Sequence, residues 1–108
     1  MEKMIFAWFY QTTIHIIIIH QQKNMEKEII INNKLNEISR ISQFMEELGV
    51  SLNIPSEIAM SINLAIEEII ANIIQNAYPD DKLGKILLQA NITPGKLTFQ
   101  ITDEGVAV

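Results

Sequence analysis

The sequence predicts an α+β fold in which helices cover one face of a mixed, mostly antiparallel sheet. Three observations carry that expectation. Two stretches repeat apolar residues at helical spacing, a later pair of stretches alternates or runs apolar like strands, and a Thr93-Pro94-Gly95 connection makes that pair a hairpin.

The elements follow in order. Glu28-Ile-Ile-Ile-Asn32 is a short apolar run bounded by Asn and charge, and reads as a strand. Leu35, Ile38, Ile41, Met45 and Leu48 mark a first helix, with Asn33 as its expected cap and Gly49 as its expected end. Asn53 to Ser56 opens a second helix, where Pro55 is tolerated in the first turn. Ile58, Ile62, Ala65, Ile66, Ile69 and Ile73 form its expected buried side, and it should end before Pro79. Ile70 and Ile74 broaden the stripe, so a helix covered on more than one face is expected. Asp80 to Gly84 reads as a loop. The hairpin strands are Lys85–Ile92 and Lys96–Thr102, with Leu97, Phe99 and Ile101 on one face.

Residues 1–24 stand apart. They hold four of the seven aromatics and both histidines, His15 and His20. Their apolar run is broken by Gln11, Thr12, Thr13 and His15, which is short for a bilayer-spanning helix of roughly twenty residues. No small-residue cleavage site follows Ile19. They read as an upstream extension, with a membrane-associating segment or an extra strand as alternatives. Residues 25–108 then form one domain.

Composition narrows the function classes. Thirteen acidic residues against eight basic ones give a net charge of -5, which argues against nucleic-acid binding through a basic face. The absence of cysteine excludes disulfides, thiolate metal sites and cysteine nucleophiles, and is compatible with a cytoplasmic location.

Chemistry-bearing residues concentrate on the second helix and after the hairpin. Glu68 and Asn72 are four residues apart, about one turn, so they point to nearly the same side. A purely structural helix would more often pair Glu68 with Lys or Arg at that offset. A carboxylate can orient or deprotonate an attacking hydroxyl in phosphoryl transfer. The Asn72 amide oxygen suits Mg²⁺, although a structural amide tying helix to loop has the same spacing. Asn76 extends the stripe but also suits a helix terminator. Glu67 reads as a solvated neighbour. Asp103-Glu104-Gly105 fits a turn, or an aspartate receiving a base amino group beside a glycine that admits the ring.

Leu64-Ala-Ile-Glu-Glu68-Ile-Ile-Ala-Asn72, Asn76-Ala-Tyr-Pro79 and the later Ile101-Thr-Asp103-Glu-Gly105 resemble the anti-sigma-factor serine/threonine kinases. These belong to the GHKL superfamily of histidine-kinase-like ATPases with the Bergerat fold. The resemblance spans about residues 26–108, the front part of such a domain. The helix motif is similar to the family's N box, and Asp103-Glu-Gly105 to its G1 box. The resemblance implies ATP and Mg²⁺ as cofactors, Glu68 as general base toward a serine hydroxyl, and Asn72 as metal ligand. It further implies Asp103 and Gly105 at the adenine, with Asn76 standing where relatives often carry histidine. Implied partners are a sigma factor and an anti-sigma-factor antagonist protein; a homodimer is left open.

Two departures qualify the resemblance. Ala107 stands where the pattern often has a second glycine. The ATP lid and final sheet strands are also expected downstream of Val108, and without them the 108-residue chain should bind ATP weakly or not at all. A non-catalytic partner-binding module of the same fold, or another GHKL ATPase, are the competing readings.

Overall fold

A computed structural model describes residues 10–17, 24–76 and 83–103. Its strands are β1 (Tyr10–Ile17), β2 (Met25–Asn32), β3 (Lys85–Thr93) and β4 (Lys96–Asp103). Between β2 and β3 lie a 3-10 turn (Leu35–Glu37) and the helices α1 (Ile38–Ser51) and α2 (Ser56–Asn76). The sheet order is β1-β4-β3-β2, and all three pairings are antiparallel.

Strand periodicity sorts the sheet into two faces. In β4, Leu97, Phe99, Ile101 and Asp103 are buried while the residues between them are half-buried. Ile86, Leu88, Ala90 and Ile92 are likewise buried in β3, with Leu87 and Gln89 half-buried and Asn91 exposed between them. This face meets Ile41, Met45, Leu48 and Leu52 around α1, and Ile66 and Ile70 of α2, in one core. Burying each of these aliphatic side chains contributes about 1.5–3 kcal/mol before the entropy of ordering is subtracted. The opposite face carries Glu26, Glu28, Gln89, Asn91, Thr98 and Gln100, and among the described residues no helix lies on it. At Gly95, φ is 80°, a conformation glycine adopts without steric cost, and the Pro94-Gly95 turn closes the hairpin there.

Several boundaries differ from the sequence expectations. Gly49 does not end α1. It lies inside the helix, where a Cβ would sit 3.3 Å from the Ala59 Cβ, so it permits close approach of α1 and α2. The true stop is Asn53, with φ 55°. Its N–H donates to Val50 O at 3.1 Å, and the Ile54 N–H donates to Gly49 O at 3.0 Å, the paired bonds of a left-handed helix terminus. Asn33 does not cap α1 either; its Oδ1 accepts from the Gly84 N–H at 2.9 Å and so ties the sheet entrance together. On α2, Ile70 belongs to the core while Ile58 and Ala65 are exposed. The helix is nevertheless covered over a broad arc, against α1 through Ala59 and Glu67 and against the sheet through Ile62, with Ile74 packed on the core beside Ile70, so the expected cover on more than one face holds.

β1 pairs with β4 along its whole length, from Tyr10 opposite Asp103 to Ile17 opposite Lys96. Part of the hydrophobic segment before Met25 thus adds a strand to the domain's own sheet. No helix among the described residues is long and apolar enough to cross a membrane.

The entry to α1 is held by charge. Glu37 Oε1 accepts from the Asn32 N–H at 2.9 Å and from Arg40 Nη1 at 3.3 Å. The Asn32 backbone bond, followed by the Arg40 guanidinium, lowers the Glu37 pKa below the ordinary glutamate range. A folded-state value below the unfolded one gives stability that is present above the unfolded pKa and lost as pH falls through the folded one. Carbon-detected titration should place the Glu37 midpoint below that of an unstructured glutamate, with the Asn32 amide shifting in step. In Glu37→Gln the Asn32 amide should no longer respond.

Candidate functional site

The two helices run antiparallel, and two contacts fix their register. Gly49 lies against Ala59, and Ser42 Oγ donates a short hydrogen bond to the Glu67 carboxylate. Continuing that register, Asn72 is level with the Leu35–Glu37 turn, which bonds to Asn32 at one end of the sheet. The adjacent row of the sheet runs Ile31, Ile86, Asp103. The helix–sheet contact gives the same alignment. Ile62 of α2 shares a small hollow with Leu97 and Phe99 of β4. Ten residues further along α2 is about 15 Å, and four to six residues further along β4 is roughly 13–20 Å. Asn72 and Asp103 therefore lie at the same end of the domain.

Each candidate residue has a distinct setting. Glu68 and Asn72 are exposed on α2, on the flank turned away from α1. Among the described residues, no hydrogen bond engages either side chain, and both are open to a ligand. Asn76 is exposed and donates from Nδ2 to the Asn72 backbone carbonyl at 2.9 Å. Asp103 is the polar member of an apolar row, only 2% exposed, at the end of β4. Gly105 lies outside the described residues.

Glu67 departs from the sequence expectation. It is half-buried and accepts the Ser42 hydroxyl, so it serves as a brace between helices rather than a solvated neighbour. The residues are 25 positions apart, and no short-range pattern announces the pair.

Asn72 offers one hard amide oxygen of the kind Mg²⁺ takes, and no pocket among the described residues is lined by Glu68, Asn72 or Asp103. Among the described residues, no group of three or more His, Asp or Glu side chains could hold a metal. A cation beside Asn72 would draw its other ligands from phosphate and water, as Mg²⁺ does when it binds with nucleotides. Asp103 is acceptor-only when ionised and suits an amino group.

The family model for the histidine kinase-like ATPase domain matches residues 31–108, well over half of the chain. The chain belongs to that family. Its match begins in β2 and takes in both helices and the hairpin, so the helix bearing Glu68 and Asn72 and the strand ending in Asp103 are parts of one ATPase-type domain. No curated protein and no solved structure matches the chain.

Proposed function

We propose that this ATPase-type domain binds Mg²⁺–ATP and belongs to a serine/threonine kinase of the anti-sigma-factor type, which phosphorylates a regulatory antagonist protein. One observation carries the reading: Glu68 and Asn72 are presented together on the outer flank of α2, at the end of the domain where Asp103 closes β4. Asn72 would hold the metal through its amide oxygen, Asp103 would receive the adenine amino group, and Gly105 would let the ring approach. Bound Mg²⁺ would neutralise charge on the phosphates. Glu68 would accept the proton of a serine hydroxyl on the partner as that oxygen attacks the γ-phosphorus and the bond to the β,γ-bridging oxygen breaks, releasing ADP. A sigma factor and its antagonist are the proposed partners, and the cytoplasm the proposed location.

Nucleotide binding is tested by titrating the ¹⁵N-labelled chain with ATP to millimolar concentration, with and without Mg²⁺. Resonances of Glu68, Asn72, Asn76 and Asp103 should shift, and the response should strengthen with Mg²⁺. Asn72→Ala should lose the Mg²⁺ dependence, because the metal loses its protein ligand. Absence of shifts on the α2 flank would refute the site.

A further inference from the structure

Away from the Glu68 flank, α1 and α2 form a second surface. Along the α1–α2 seam, between the Gly49–Ala59 and Ser42–Glu67 contacts, lies a groove of about 430 Å³ lined mainly by Met45, Val50, Ala59, Met60 and Asn63. That volume lies in the range of preformed ligand and peptide pockets. Val50 and Met60 are 74% and 64% exposed, an unusual state for large apolar side chains placed side by side. Within the groove, the Asn63 Oδ1 atom is buried and accepts no hydrogen bond.

Charge indicates what would fill the groove. Residues 38–76 contain five carboxylates (Glu46, Glu47, Glu57, Glu67 and Glu68) and one base, Arg40, which already pairs with Glu37. Glu46 itself lines the groove. A second copy of this acidic helical layer would be repelled, as would an anionic membrane. A cationic partner would be attracted. Methionine side chains such as Met45 and Met60 adapt to varied apolar surfaces.

We propose that the α1–α2 groove docks a basic amphipathic helix from a partner protein. Its apolar side chains would enter beside Val50 and Met60, and its cations would face Glu46 within the net acidic helical layer. The site is separate from the proposed nucleotide site. Asn63 and Asn72 are nine residues apart, about two and a half turns, and so project from opposite flanks of α2.

The test uses the full ¹⁵N-labelled chain without nucleotide. Two synthetic peptides of about fourteen residues carry leucine at helical spacing, one with lysine and one with glutamate elsewhere. The lysine peptide should give saturable shifts confined to Ser42, Met45, Glu46, Val50, Met60 and Asn63, weakening as salt is raised. Val50→Glu and Met60→Glu, both at exposed positions that should leave the fold intact, should each weaken binding at least about tenfold. Failure of the lysine peptide to bind, equal binding of the glutamate peptide, or shifts on the Glu68–Asn72 flank would overturn the proposal. So would groove shifts that arise on concentrating the chain alone, which would identify a second copy as the occupant.

Discussion

Glu68→Gln is expected to lower the proposed phosphate transfer to a partner serine by about 10²–10⁴-fold while leaving ATP affinity unchanged. The amide keeps the size and exposure of the carboxylate but cannot accept a proton as a base. Because Glu68 makes no hydrogen bond among the described residues, its replacement leaves the α1–α2 packing alone. Radiolabel transfer from ATP, measured beside calorimetric nucleotide affinity, separates the two steps. Equal transfer by wild type and variant would remove Glu68 from the chemistry. Glu67→Gln is the informative companion, since its hydrogen bond to Ser42 makes it a structural group. It should change stability more than transfer.

Phe99→Ala should be the most damaging substitution in the sheet, costing about 3–5 kcal/mol in urea denaturation. Phe99 is fully buried in β4, among the largest side chains of the core, and faces Ile62 and the α1 residues Met45 and Leu48 across a small hollow. A domain of this size has only about 5–15 kcal/mol in total, so the truncation removes a large fraction of it. Phe99→Leu, which keeps more of the volume, should cost less and remain folded for comparison. A Phe99→Ala loss below about 1 kcal/mol would mean that the helices do not rest on β4 as described.

Much of the fold was legible because local pattern and tertiary burial agreed. The alternation of Leu97, Phe99 and Ile101 marked β4, and Asp103 continues that alternation onto the covered face. Boundaries failed where residue type and position competed. Gly49 has the residue type of a helix stop but serves interhelical approach, while Asn53 supplies the left-handed turn. Ile58 and Ile70 are chemically identical, and only the placement of α1 and the sheet decides which is covered. The Glu68–Asn72 spacing was visible in the chain because both lie on one helix. The level they share with Asp103 required the helix register and the strand pairing together. Asn63 carried no sequence signal, since its orphaned oxygen arises from the packing of α1 against α2.

Among the described strands β2 is bonded along one side only, by β3, and its two halves differ in chemistry. Glu26, Lys27 and Glu28 place formal charges along the first half, where stacking against a foreign strand would force like charges together. Ile29, Ile30 and Ile31 leave the second half without that protection. Fibril growth, should the chain be pushed to high concentration, would therefore nucleate on the isoleucine half, and a single lysine at Ile30, whose side chain is already exposed, would be the most economical safeguard.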